Sequence, residues 1–132
     1  MNAEATDFWS RARQALRTAQ DLVSTDPDAS ASRAYYAAFY GVSALFALQG
    51  KTFTKHSALR AALHRDLVKA GRWSVERGED YSLLLKLRDT GDYGGGIHVS
   101  REEAMEAVEA AHRILLAVQD VSPESFPQTE NG

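Results

Sequence analysis

The chain has 132 residues, no cysteine and a formal net charge of −3, with 25% of its residues charged. That length suffices for one domain with one buried core, and the lack of cysteine excludes thiolate metal sites, thiol nucleophiles and redox switches. The N-terminal run MNAEATDFWSRAR is charged and amphipathic where a signal peptide needs an apolar centre, and no later stretch approaches a membrane span, so a soluble cytoplasmic protein is expected.

The periodicity predicts a first helix from Thr6, its candidate cap, to Val23. Phe8, Trp9, Ala12, Leu16, Ala19 and Val23 form one apolar stripe, and Arg11, Arg13, Gln14, Arg17, Thr18 and Asp21 form a wet face. Asp26 then caps a second helix that opens on Pro27, a residue suited to a first turn, and runs to about Gln49 before Gly50. This helix is apolar or aromatic around nearly its whole circumference from Arg33 to Leu48, so neighbours in its own chain or a second subunit must enclose it. Its small residues Ala34, Ala38 and Gly41, continued by Leu45 and Leu48, would admit another helix closely. Tyr35, Phe39, Val42 and Phe46 form a further apolar row.

A third helix is expected over Ala58 to Ala70, with Leu59, Leu63 and Leu67 inward and Gly71 ending it. Ser74 can cap a fourth, in which Arg77, Tyr81, Leu84 and Arg88 share a face and Leu83 and Leu87 sit on another. Gly91 and the run Gly94 to Gly96 close this segment as a flexible loop. The fifth helix carries the capping-box pattern Ser100 to Glu103, followed by Ala104, Val108, Ala111 and Leu115 at core spacing. The expected architecture is therefore an all-α antiparallel bundle of about five helices over residues 1–121. Residues 122–132, with Pro123 and Pro127 and little that is apolar, are expected to be a disordered tail.

Charge is unevenly spread. Lys51 to Arg72 holds six Lys or Arg against one acid, whereas Ser100 to Gly132 holds seven acids against two Arg. Such runs read first as solvated helix faces, and second as a basic element facing a polyanion.

Arg88 stands out chemically, because an arginine ending an inward row needs a partner. One reading is a salt bridge to Asp89, Asp92 or an acid on another helix; the other is an anion site, since a guanidinium fork matches phosphate geometry. Arg33, Tyr36 and Tyr40 share a neighbouring face on the second helix and could stack on bases or line an interface. His98 lies past the glycine loop and could fold back toward Arg88, or could be a surface residue. His64 and His112 lack a partnering motif, and no His and carboxylate spacing suggests a metal site, so no cofactor is expected.

The pattern SRAYYAAFYGVSALFALQGKTFTKHSALRAAL, followed by LLLKLRDTGDYGGG and the capped VSREEAMEAVEAA, resembles the HEPN domain over about Phe8 to Val118. It is most similar to the short single-domain prokaryotic branch with an Arg-x-x-x-Asp-Tyr element. The resemblance implies a helical bundle that dimerises, encoded beside a minimal nucleotidyltransferase in a toxin–antitoxin-like module. Active members are metal-independent ribonucleases whose motif is an arginine followed a few residues later by a histidine. In this chain Arg88 matches the arginine, but Tyr93, Gly94 and Gly95 occupy the positions where the histidine is expected.

Losing a general acid or base typically removes about a hundred- to ten-thousandfold in rate. Two functions therefore stand side by side. One is a ribonuclease in which Arg88, with His98 as a candidate, carries the chemistry. The other is a non-catalytic module that binds a nucleotide, RNA or its nucleotidyltransferase through Arg33, Tyr36, Tyr40, Asp92 and Tyr93. The resemblance also implies that His56 holds the connector before the third helix rather than cleaving, and that Tyr93 could receive nucleotides from the partner enzyme.

Overall fold

The structure, a computed structural model, describes residues 2–128. It is built of α1 (Ala3–Leu22), α2 (Pro27–Leu48), α3 (His56–Ala62), α4 (Val75–Tyr93) and α5 (Arg101–Val121), with a π-helical turn over Leu63–Val68 continuing α3. Among the described residues there is no strand, in agreement with the expected all-α bundle.

Local signals start most of these helices where the sequence places them. The Asp26 side chain accepts from the Ala29 N–H, with Pro27 in the first turn of α2. Ser100 and Glu103 form both bonds of the capping box that opens α5. The first helix differs from expectation. It begins at Ala3, where Asn2 accepts from the Ala5 N–H, because an asparagine caps as well as a threonine and gains one more turn. The third helix also differs: its second half widens into a π turn, while Leu59, Leu63 and Leu67 all stay buried.

α2 is the axis of the bundle. α1, α4 and α5 enclose it, and Ala34, Ala38, Val42, Ala44, Leu45 and Phe46 are all buried. The enclosure that its all-round apolar surface demands is thus supplied largely by its own chain. Two polar bonds fix its antiparallel pairing with α1. Asn2 Nδ2 donates to the Ala47 carbonyl at 2.8 Å, and the buried Ser30 hydroxyl donates to the Ala19 carbonyl at 2.7 Å. The expected small-residue row makes the closest approach at Gly41, where a Cβ would run into Leu115 of α5.

Across the far side, Asp80 of α4 is buried and takes both Nε (3.1 Å) and Nη2 (2.9 Å) of Arg113 from α5, with Arg77 beside it. The segment after α5 corrects the expected tail boundary. Phe126 is fully buried, its ring 5.1 Å from that of Trp9, and the Pro127 carbonyl accepts from Trp9 Nε1 at 3.0 Å. Burial of the Phe126 ring contributes about 1.5–3 kcal/mol to holding residues 122–128 against α1, and the Pro127 carbonyl adds a second hydrogen bond, from Arg13 Nη1 at 3.0 Å. Residues 129–132 of the expected tail lie outside the described residues.

The close α2–α5 approach yields a direct test. Gly41→Val inserts a branched side chain where Leu115 now sits, and should lower unfolding free energy by about 1–3 kcal/mol in urea denaturation without loss of helical content.

Candidate functional site

The polar side of α2 is also its aromatic side. Tyr35 and Tyr36 stand edge to face with centroids 5.3 Å apart, and Tyr36 leads on to Tyr40 at 6.0 Å and Tyr40 to Phe8 of α1 at 6.4 Å. Tyr35 is buried, whereas Tyr36, Phe39 and Tyr40 are half-buried, so the rings lead from the core to the surface.

Arg88 of α4 lies against this face. Its Cζ is 5.3 Å from the Tyr35 ring centroid, 5.7 Å from that of Tyr36 and 5.4 Å from that of Tyr93. Each such contact contributes about 0.5–2 kcal/mol, more as water is excluded. Nε donates to Asp92 at 3.1 Å, Nη1 to Asp89 at 3.4 Å and Nη2 to the Tyr36 hydroxyl at 3.3 Å. Burial works against the charge, but Tyr36, Tyr93 and Asp92 outweigh it and raise the Arg88 pKa above its ordinary value. Arg88 is a fixed cation at all working pH values.

The salt bridges to Asp89 and Asp92 exist, and the guanidinium stands between rings at the edge of the bundle, with 17% of its side chain exposed. Tyr93 is 72% exposed and forms the outer wall. Ser32 of α2 donates to Asp92 at 3.4 Å, adding a second hold on the carboxylate that orients Arg88.

Of the other residues singled out in the sequence, Arg33 sets its guanidinium against the same aromatic group, 5.3 Å from the Tyr36 centroid, and its buried Nε has no hydrogen-bond partner. Arg33 and Tyr40 also line an adjoining hollow of about 200 Å³ with Arg11, Gln14, Ala15 and Thr18. The structure therefore gathers Arg88, Asp92, Tyr93, Tyr36 and Arg33 into one place, with Tyr40 at its rim.

His98 is engaged elsewhere. Its Nδ1 lies 2.6 Å from Asp28 Oδ2 at the start of α2, and the other Asp28 oxygen accepts the Val99 N–H at 2.7 Å. The Val99 hydrogen bond, with smaller help from His98, holds the Asp28 carboxyl below the usual carboxylate range. His98 thus helps to anchor the α4–α5 loop to α2. Gly91 makes this junction tight, since a Cβ there would lie 2.7 Å from the Asp28 carbonyl oxygen.

Two members of the cluster escaped the sequence reading as site residues. Tyr35 belongs to the apolar row, and its hydroxyl reaches His56 Nδ1 at 3.2 Å. The His56 ring packs 4.1 Å from Phe39 and 5.7 Å from Tyr36. Burial, then repulsion by Arg88, lowers the His56 pKa, so the ring is neutral at pH 7. The available signal was the spacing of Tyr35 and Phe39, one turn apart on a face that the His56 connector must cross.

The HEPN domain model matches residues 5–121. A UPF0332 protein of Thermotoga maritima is 37% identical over 115 residues, covering 86% of this chain and 87% of its own. A Methanocaldococcus jannaschii protein named as a candidate toxin is 28% identical, over 80% of this chain and 72% of its own. The crystal structure of TT1696 from Thermus thermophilus superposes with a TM-score of 0.78 at 28% identity, covering 91% of this chain and 98% of that one. The chain belongs to the HEPN domain family. Among the described residues no helix is long and apolar enough to cross a membrane.

The loop anchor predicts a pH dependence. Because the folded Asp28 pKa is depressed, its contribution is fully present above the ordinary carboxylate value of 3.8 and is lost as pH falls through the lower folded value. Asp28→Asn should therefore cost about 1 kcal/mol at pH 7, with the gap to wild type closing below pH 3.8 in thermal melts across pH. Gly91→Ala should weaken the same junction at all pH values, read as faster amide exchange at Val99.

Proposed function

We propose that this protein is the HEPN component of a toxin–antitoxin-like module, acting on RNA as a metal-independent endoribonuclease and partnered by a minimal nucleotidyltransferase. The observation that carries the reading is the Arg88 guanidinium, set between the Tyr35, Tyr36 and Tyr93 rings and held in orientation by Asp92. An arginine so placed can exchange its weaker bonds, at 3.3–3.4 Å to Tyr36 and Asp89, for the oxygens of a phosphodiester. The exposed Tyr93 ring offers a stacking surface for a base.

Family membership supports the reading, as does the candidate-toxin name of the archaeal relative. On this proposal the working unit is a homodimer whose two Arg88 clusters face one cleft. Arg33, Tyr36, Tyr40 and Asp92 then line the path of the RNA backbone and its bases. On the same proposal the exposed Tyr93 hydroxyl accepts a nucleotide from the partner enzyme.

A second reading is a non-catalytic module that binds RNA or a nucleotide and holds the nucleotidyltransferase. It is favoured by the carboxylates already on Arg88 and by the tyrosine and glycines where the family histidine is expected.

Cleavage of single-stranded RNA and of total tRNA in excess EDTA separates the two. On the leading reading the wild type cleaves and Arg88→Ala loses at least about a hundredfold in rate while keeping its helical circular dichroism. Binding without cleavage, lost in Arg88→Ala, would establish the second reading instead. An Arg88→Ala protein as active as wild type would remove Arg88 from the site.

A further inference from the structure

The described site has a fixed cation but lacks a proton-transfer group at the expected place along α4, and His98 is turned to Asp28. A titratable ring nonetheless touches the cluster from another element. His56 stands at the first position of α3 and is half-buried. It makes ring contacts with Tyr35 (5.9 Å), Tyr36 (5.7 Å) and Phe39 (4.1 Å), and the first two of these rings also flank Arg88. The imidazole and the guanidinium thus share the same pair of tyrosines.

We propose that His56 is the general base of this site, taking the place of the histidine missing after Arg88. The inference rests on the ribonuclease reading above. With the Nδ1 proton directed at the Tyr35 hydroxyl, Nε2 keeps its lone pair for an incoming ribose. Tyr35 is then a positioning residue that fixes the ring and its tautomer.

The step balances without a metal or co-reactant. Nε2 takes the proton of a 2′-hydroxyl and the 2′-oxygen bonds to the adjacent phosphorus, whose charge Arg88 stabilises. The bond to the 5′-oxygen breaks, and that oxygen leaves with a proton from water, to which His56 later returns its own. The products carry a 2′,3′-cyclic phosphate and a 5′-hydroxyl.

The surroundings suit a base at neutral pH. From α2 the ring meets Tyr35, Tyr36 and Phe39. From α4 it faces Arg88, with Asp89 and Asp92 bound to that guanidinium, and Lys55 beside it in the chain is exposed. The nearest charge is therefore positive, which favours the neutral imidazole.

The test uses the full chain with a mixed-sequence single-stranded RNA and total tRNA in EDTA, measuring cleavage and RNA affinity from pH 4.5 to 8. His56→Gln should bind RNA within about threefold of wild type yet cleave about 10²- to 10⁴-fold more slowly. The wild-type rate should rise with pH to a plateau, its midpoint below about 6.5, and that limb should vanish in His56→Gln. A purely structural His56 would alter affinity or melting but leave the limb in place.

Cleavage that survives His56→Gln with its pH limb, while Arg88→Ala is inactive, overturns the role of His56 and leaves the ribonuclease reading standing. No cleavage by the wild type overturns both. If His56→Gln does not fold, the wild-type profile decides, and a rate flat between pH 4.5 and 7 overturns the proposal.

Discussion

A helix that is apolar around its circumference cannot leave a stripe in water without forfeiting burial along its whole length, and α2 imposes that condition on the rest of the molecule. Alanines and Gly41 line the sides where α1 and α5 press close, because only small side chains let two helix backbones approach so nearly. The bulky rings Tyr35, Tyr36 and Phe39 are left on the side where α4 and the connector to α3 pass, and Tyr40 continues the row round to Phe8 of α1. The aromatic face and the polar cluster coincide for this reason: what is too large to fit under α1 or α5 faces the gap where Arg88 and His56 can reach it.

Within that gap the charges break a local rule. Asp92 sits in the last turn of α4, which has no basic residue, so it opposes the negative end of the helix dipole at a cost of about 0.3–1 kcal/mol. Arg88 and Ser32 hold it in spite of that. A stability-driven sequence would place a lysine or arginine there. Local rules broken with a dedicated compensation mark functional sites more often than packing sites, and here the compensation is the same guanidinium that the rings hold.

Much of this was legible in the sequence where the signal is local. The enclosed character of α2, the Asp26 and Ser100 caps, and the grouping of Arg88 with Asp92 and Tyr93 all depend on residues within a turn or two of one another. Long-range contacts were not legible. Trp9 meets Pro127 across 118 positions, Arg113 meets Asp80 across 33 and Tyr35 meets His56 across 21. The segment after α5 looked unfoldable by composition because a single phenylalanine weighs little in an average, yet it weighs heavily once a tryptophan is there to receive it. His56 looked like a connector residue because its partners are defined by the packing of α3 on α2.

The anchoring of the α4–α5 loop keeps the histidine of that loop, His98, turned to Asp28 and away from Arg88. Beyond Tyr93 the backbone turns at Gly95, in the left-handed region at φ 63°, and is drawn to Asp28 through Val99 and His98. Asp28 stands one turn before Ser32 and about two before Tyr36, so this loop is committed to the end of α2 beyond the rings. The connector after α2 returns along the opposite flank, and Gly50, at φ 74°, reverses the chain so that α3 starts against Tyr35 and Phe39. The ring carried by that connector, His56, reaches the tyrosines that flank Arg88 with its Nδ1 bound to Tyr35, whereas the ring carried by the glycine loop, His98, is bound to the Asp28 carboxylate that holds the loop down.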